Sequence, residues 1–322
     1  MDRRRLAGSC LRLMQISRRG RRGSIFLALG SLILMAAAAP NALVLREQAW
    51  TAPSASLAHE LTHAPGECLT ASTPEIEIGR ALFRSPALLG GPAARAGLSC
   101  NACHSNGRIN ARFLLAELTD RPGAADVTSE WASKARGDGI ANPVDIPDLV
   151  DVAQRAALGR ARDPSLAHFV AGVIVEEFQG EPPPAQAFAG LIAYLRALDA
   201  GSCPAGEARI NLASAADDVR RALAAARIAD SATASLLVLA AQDGIGRIVE
   251  RLPQRSFARD RRRFEALARE LGAQRGEANL GAALEAAMPA WRARFDAAFA
   301  RAARREQRTY FNERTLRAAL PL

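Results

Sequence analysis

The sequence of 322 residues has few aromatic side chains, 5% of the total, and no stretch in which apolar and polar residues strictly alternate. Because β-sheets favour aromatic and β-branched residues in such alternation, these absences argue against a chain built mainly from sheets. Alanine is abundant instead, and 49% of the residues are hydrophobic. We therefore predict an all-α protein with sizeable cores, divided into about two domains.

Positive charge is unevenly distributed and is not interleaved with aromatic residues. The net charge of +9 divides into +7 for residues 1–23, −5 for residues 24–203 and +7 for residues 204–322. Surfaces that bind nucleic acid combine basic and aromatic side chains, so the pattern argues against a nucleic-acid partner. The basic faces of the last segment are typical of solvated helices, the alternative being a docking surface for an acidic redox partner or a membrane.

The basic head continues into an apolar run of 22 residues from Ser24 to Leu45. This run ends in small residues, which is the layout of a secretory signal, with cleavage predicted after Ala38. The run is also long enough to span a bilayer, so residues 1–45 are either a signal peptide or an N-terminal membrane anchor. In both cases we expect the rest of the chain to be exported, either free in a bacterial periplasm or anchored in the inner membrane and facing it.

Cysteine is scarce, with five residues in the chain, and one of them, Cys10, belongs to the basic head. Cys68 and Cys203 bracket the middle segment. In an oxidising compartment such a pair favours a disulfide that joins the two ends of the segment, and two buried free thiols are the alternative.

The remaining cysteines belong to the stretch "SCNACHSN", in which Cys100, Cys103 and His104 form the pattern C-x-x-C-H. Two cysteines on one helical turn can bond to both vinyl groups of a porphyrin, and the histidine that follows can ligate its iron. Zinc would need a second Cys/His pair at ligand spacing, and a redox-active cysteine pair would follow a strand. The sequence offers neither, and it therefore predicts one covalent haem c, attached through Cys100 and Cys103 with His104 as axial ligand.

The flanks of this motif resemble one haem domain of the bacterial di-haem cytochrome c peroxidase and methylamine-utilisation haem-protein family. The matching pieces are Gly79, Leu82 and Phe83 in G-x-x-L-F, Pro147 and Leu149 in P-x-L, and Tyr194 to Leu198 in "YLRAL". The resemblance covers residues 68–203 and implies a cytochrome c-like domain whose first and last helices cross beside the haem. Family members carry two haem motifs and this chain has one, so their two-haem electron relay is absent within one chain.

The chain has no methionine between residues 36 and 287, and methionine is a common second axial ligand of electron-transfer haems. His168, which follows His104 by 64 residues, is the candidate sixth ligand, with a structural role beside an apolar stripe as the alternative. Lys134, the only lysine, is a weaker candidate. Met288 also precedes a proline, but its alanine-rich helical surroundings favour a position in a core.

Residues 46–67 are rich in alanine, serine and proline, which predicts a linker. Within them, His59 and His63 in "HELTH" are four residues apart, so a helix would present both on one face. There they would supply a sixth haem ligand or half of a metal site.

Residues 204–322 contain no histidine, no second haem motif and no glycine-rich phosphate loop. Their apolar residues recur every three or four positions, which predicts a bundle of four or five helices. The whole pattern predicts a cytochrome c-like haem domain followed by this bundle. The corresponding function is an exported mono-haem cytochrome that transfers single electrons between redox partner proteins. The alternatives are a peroxidase-type haem enzyme with an open sixth site that works with a partner haem, and a non-catalytic sensor or assembly subunit.

Overall fold

The computed structural model describes residues 44–277 and 279–320. The predicted export signal or anchor, its cleavage position and Cys10 lie outside the described residues, apart from the last two residues of the predicted signal. Within the described ranges the chain forms eleven α-helices and four short strands, which confirms the all-α class. The α-helices are α1 (Leu57–Glu60), α2 (Pro74–Phe83), α3 (Gly91–Arg95), α4 (Cys100–Cys103), α5 (Leu166–Gly172), α6 (Ala185–Arg196), α7 (Leu212–Ile228), α8 (Ser231–Glu250), α9 (Gln254–Gln274), α10 (Leu280–Ala303) and α11 (Glu313–Arg317).

The strands form two small antiparallel pairs. They are β1 (His63–Pro65), β2 (Ala124–Ala125), β3 (Val144–Asp145) and β4 (Glu207–Arg209). β1 pairs with β4, with His63 opposite Arg209, and β2 pairs with β3. The first pair joins the start of the described chain to the residues that lead into the bundle.

Residues 46–67, predicted as a linker, are part of the folded unit. Trp50 and Ala58 are buried, and Leu61 packs in a small apolar cluster with Leu316 of α11. Arg46 also pairs with Asp243 of α8, at 2.6 Å. The linker prediction missed this packing because the apolar residues are few and follow no regular period. Burial of a large apolar side chain such as that of Leu61 nevertheless contributes about 1.5–3 kcal/mol to holding this segment in place.

Helices α2 and α6 cross in close contact, as the sequence predicts for the first and last helices of the middle segment. Gly79 of α2 and Gly190 of α6 meet at the crossing, where a Cβ added to Gly79 would overlap the Gly190 backbone. The side chain of Thr73 accepts a hydrogen bond from the backbone N–H of Ile76, and Pro74 occupies the first turn of α2. The cap and the proline together define where this helix begins.

Helices α7 to α10 form the predicted bundle, and most of their large apolar side chains are buried. α8 is long and apolar enough to cross a membrane by length and composition, with 56% of that window buried inside the protein. One continuous apolar cluster runs from α2 and α6 into all four bundle helices. The boundary predicted between residues 203 and 204 therefore does not separate two independent cores.

Candidate functional site

The C-x-x-C-H motif forms α4, a single helical turn. Cys100 begins the turn, Cys103 ends it, and both thiols are free and half-buried. The backbone N–H of His104 donates to the carbonyl oxygen of Cys100 at 2.9 Å, and Asn106 then takes a left-handed conformation with φ of 53°. The helical turn therefore ends at Cys103 with His104 as its C-cap, and both thiols and the imidazole lie within five residues.

The imidazole of His104 is oriented by a backbone carbonyl group. Its Nδ1 lies 3.0 Å from the carbonyl oxygen of Pro147. A carbonyl oxygen can only accept, so Nδ1–H donates and Nε2 keeps a free lone pair. Burial lowers the pKa of His104 to about 4, which keeps the ring neutral. A neutral imidazole with one nitrogen held by a carbonyl is the usual state of a metal-ligating histidine.

The P-x-L stretch is hydrogen-bonded to the motif and to the loop that follows it. Besides the bond from His104 to Pro147, the backbone N–H of Leu149 donates to the carbonyl oxygen of Gly107 at 2.9 Å. Arg108 reaches the intervening residue and donates to the carboxylate of Asp148 at 2.6 Å. The stretch noted in the sequence thus lies directly against the imidazole.

The two thiols have the electrostatics of buried neutral groups. Burial raises the pKa of Cys100 to about 12. It also raises the pKa of Cys103, an effect that the neighbouring Cys100 reinforces. Redox-active cysteine pairs work as thiolates with lowered pKa values, so this environment argues against a thioredoxin-like function.

The motif borders an apolar cluster that the chain covers incompletely. Its interior contains fully buried residues such as Phe113 and Leu118. Other apolar residues that pack against this cluster, as Cys100 and Cys103 do, are half-buried, namely Leu115, Val127, Trp131 and Val173. Helix α5 has no fully buried residue, although most of its side chains are apolar. A donor set of two thiols and a neutral imidazole beside incompletely covered apolar side chains fits a covalently attached porphyrin.

A buried polar network holds the loop that follows the motif. Arg84, the residue that follows α2, donates to Glu67 at 2.6 Å and to the side-chain oxygen of Asn106 at 2.7 Å. The amide of Asn106 donates in turn to the carbonyl oxygen of Pro65 at 2.8 Å. The sequence analysis missed these residues. The only signal for them was the S-N-G turn, in which asparagine tolerates a positive φ.

Cys68 and Cys203 form a disulfide, which confirms that prediction over the alternative of free thiols. Arg108 lies close to it, with Nη1 3.7 Å from both sulfur atoms. The bridge therefore closes the middle segment next to the P-x-L stretch and the loop after the motif.

The candidates for a sixth ligand lie apart from the motif. His168 occupies the first turn of α5 with its side chain 82% exposed, and its Nδ1 pairs with the carboxylate of Asp163. That hydrogen bond raises the pKa of His168. Met288 is buried in α10 within the bundle, which confirms the core position, and Lys134 is exposed. None of these side chains forms a hydrogen bond with the motif, and the role of His168 as sixth ligand stays a prediction.

His59 and His63 belong to folded elements, the end of α1 and the start of β1. Their rings stack with centroids 4.0 Å apart. They lie beside Glu207 of β4 and Glu313 of α11, not in a flexible segment.

No protein-family model, no curated protein and no solved structure matches this chain.

Proposed function

We propose that this chain binds one haem c covalently and transfers single electrons between redox partner proteins. The observation that supports this most directly is the hydrogen bond from His104 to Pro147, which leaves Nε2 of the imidazole free to ligate iron. The two thiols of the motif lie on the turn that ends at this histidine. When bound, the haem supplies an iron that changes between the ferrous and ferric states.

Each residue of the motif has a defined role in this proposal. Cys100 and Cys103 hold the porphyrin by adding their S–H groups across its two vinyl double bonds. Sulfur bonds to one vinyl carbon and hydrogen to the other, so no oxidant is needed. Pro147 keeps the imidazole of His104 in one orientation and increases its basicity as an iron ligand. The apolar side chains that pack in the same cluster as the thiols would limit the access of water to a bound haem, which favours a raised potential.

The disulfide supports an exported location. Disulfides such as Cys68–Cys203 persist in oxidising compartments and are rare in the bacterial cytosol. Covalent haem and this bridge together fit a protein that works in the periplasm, either free or anchored in the inner membrane.

The positions of His168 and Met288 favour the peroxidase-type alternative. His168 points into solvent and pairs with Asp163, and Met288 is in the bundle core. If the sixth position of the iron is open, hydrogen peroxide can reach it, and a partner protein has to supply the second haem. This second candidate function differs from the first in the state of that one position.

Covalent attachment is tested by producing the full-length protein in a host that attaches haem in its periplasm. The wild type retains haem on a denaturing gel, and the Cys100→Ala/Cys103→Ala variant loses it. The Cys68→Ala/Cys203→Ala variant is the matched control, because it also removes two cysteines but keeps the motif. Haem that stays attached after loss of Cys100 and Cys103 would overturn the proposal.

Optical spectra of the oxidised and reduced protein separate the two functions. A low-spin, six-coordinate iron that does not react with hydrogen peroxide supports the electron carrier. A high-spin, five-coordinate iron that reacts with it supports the peroxidase. In the carrier, a His168→Ala variant that converts the iron to high spin identifies the sixth ligand, and an unchanged spectrum excludes this histidine.

A further inference from the structure

A second group of metal-ligating side chains lies outside the haem motif. It consists of His59 at the end of α1, His63 in β1 and Glu313 at the start of α11. One ligand atom from each residue lies within 4.8 Å of the other two. His63 and Glu313 also line a cleft of about 660 Å³, so ions in solution can reach the group.

The hydrogen bonds of His63 leave one of its nitrogens available. Nδ1 lies 3.2 Å from the carbonyl oxygen of His59 and 3.1 Å from the hydroxyl of Thr62. Since the carbonyl oxygen can only accept, Nδ1 carries the proton and Nε2 has a free lone pair. A backbone carbonyl that fixes the tautomer in this way is typical of histidines that bind metals.

Two carboxylates lie beside the ring of His59, and they suit different roles: Glu313 as a metal ligand and Glu207 as a group that orients the ring. Nδ1 lies 3.4 Å from Oε2 of Glu313, while Nε2 lies 3.0 Å from Oε2 of Glu207. Two ligands of a tetrahedral zinc ion, each about 2.1 Å from the metal, are about 3.4 Å apart. Nδ1 of His59 and Oε2 of Glu313 already have this spacing, and Glu207 accepts a hydrogen bond from the N–H of the opposite nitrogen, Nε2. Arg317 pairs with the other oxygen of Glu313, which leaves Oε2 for the metal.

We propose that His59, His63 and Glu313 bind a divalent transition-metal ion of the zinc class, with Glu207 as a positioning residue for His59. Two imidazoles and one carboxylate form a donor set that suits zinc better than magnesium or calcium, which prefer oxygen ligands throughout. The proposal is independent of the haem, since none of these residues belongs to that site.

The site links chain segments and does not have the geometry of a peptidase. Residues 59–63 have the spacing H-E-x-x-H, which in zinc peptidases places both histidines on one helix with the glutamate as general base. Here α1 ends at Glu60 and His63 belongs to a strand. The carboxylate of Glu60 is also occupied, because it accepts hydrogen bonds from two serine hydroxyls and from Arg112. A metal at this position joins the first folded segment to α11, across 254 residues of sequence between His59 and Glu313.

In the test, the full-length haem-loaded protein is first treated with a chelator to remove bound metal. Zn²⁺ is then titrated into it, and calorimetry measures the binding. We expect one Zn²⁺ per chain and a higher melting temperature with the ion than without it, because binding stabilises the folded state. His63→Ala and Glu313→Gln each weaken Zn²⁺ binding at least about tenfold, and Glu207→Gln weakens it less. Glu270→Gln is the matched control for Glu313→Gln, since this carboxylate also pairs with an arginine, Arg294, but lies outside the group. It leaves Zn²⁺ binding unchanged, and Mg²⁺ gives no saturable binding.

Two results would overturn the proposal. One is the absence of saturable binding at one equivalent in the wild type. The other is wild-type affinity in a folded Glu313→Gln variant, whose circular dichroism verifies its structure. Glu313 lies on the outside of a short helix, so this variant remains decisive if His63→Ala fails to fold.

Discussion

Apolar side chains are less completely buried in the region around the motif than in the C-terminal bundle. In the bundle, Leu237 of α8, Phe264 of α9 and Phe295 of α10 are 0% exposed. Of the residues that pack with Cys100 and Cys103 against the second apolar cluster, Leu115 and Trp131 are half-buried. The bundle helices cover one another's core residues, whereas apolar side chains at the edge of the motif's cluster are partly exposed. The difference shows that the chain covers the core of the bundle more completely than the cluster beside the motif.

The same two regions also differ in how their backbone is held. The bundle relies on helical hydrogen bonds and on caps such as Asp230, whose carboxylate accepts from the backbone N–H of Thr233 at 2.8 Å. The motif region is mostly loop and is held by side chains that bond to backbone groups. Asn110, for example, donates to the carbonyl oxygen of Ala102 at 2.8 Å. Individual polar side chains therefore matter more to the motif region than to the bundle.

The largest expected effect comes from the disulfide, because it closes the loop-rich region and leaves the bundle untouched. The Cys68→Ser/Cys203→Ser variant loses a bridge between residues 135 positions apart. We expect the free energy of unfolding to fall by about 4 kcal/mol, since the unfolded chain regains the freedom of a long loop. Urea unfolding followed by circular dichroism measures this change. A loss below about 1 kcal/mol would show that the helix crossing and the polar network hold the region without the bridge.

A matched pair of leucines tests the comparison directly. Leu237→Ala in the bundle leaves a cavity, and we expect it to lower the free energy of unfolding by about 3 kcal/mol. If the chain binds haem as proposed, this variant does not change the absorption spectrum of the haem. Leu115→Ala removes a half-buried side chain, so we expect it to lower the free energy of unfolding by about 1 kcal/mol. Under the same proposal it shifts the absorption spectrum or the redox potential of the haem. Equal destabilisation by the two variants, or a spectral change in Leu237→Ala alone, would remove the distinction between the regions.

The sequence predicted those parts of the structure that leave a local signal. Apolar residues every three or four positions predicted the bundle helices, because one face of each helix has to be buried. The C-x-x-C-H spacing predicted that Cys100 and Cys103 would share one turn with His104 directly after it, and the P-x-L stretch contacts this histidine through Pro147. The haem itself stays a prediction, as does the sixth ligand.

Contacts between distant polar residues left no such signal. Glu313 follows His59 by 254 residues, and no periodicity connects a carboxylate on α11 to an imidazole on α1. The network of Glu67, Arg84 and Asn106 was missed for the same reason, since a charged residue in a sequence is more often solvated than buried. The packing of residues 46–67 was missed because their composition is typical of a loop and their contacts depend on α8 and α11.

Glu67 lies at the junction of the two regions and tests how they are joined. Its carboxylate accepts hydrogen bonds from Arg84 at 2.6 Å, from Arg80 at 2.7 Å and from the hydroxyl of Tyr194 at 2.8 Å. Arg80 also pairs with Asp218 of α7, which connects this network to the bundle. Burial by itself would raise the pKa of Glu67. The charges of Arg84 and Arg80 outweigh that effect and lower the pKa to about 2.

Because the folded-state pKa of Glu67 is below its value in the unfolded chain, its stabilisation is present above about pH 4.5 and is lost as the pH falls towards 2. We expect Glu67→Gln to reduce the free energy of unfolding by about 3 kcal/mol at neutral pH, since Arg80 and Arg84 lose their buried counter-charge. The difference from the wild type then shrinks between about pH 5 and pH 2, as protonation removes the same charge from the wild type. Glu285→Gln is the matched control, because that carboxylate pairs with Arg227 in solvent, where an ion pair contributes little. Urea unfolding of the three proteins at several pH values measures the effect, and a Glu67→Gln difference that does not vary with pH would show that the side chain acts through packing and not through its charge.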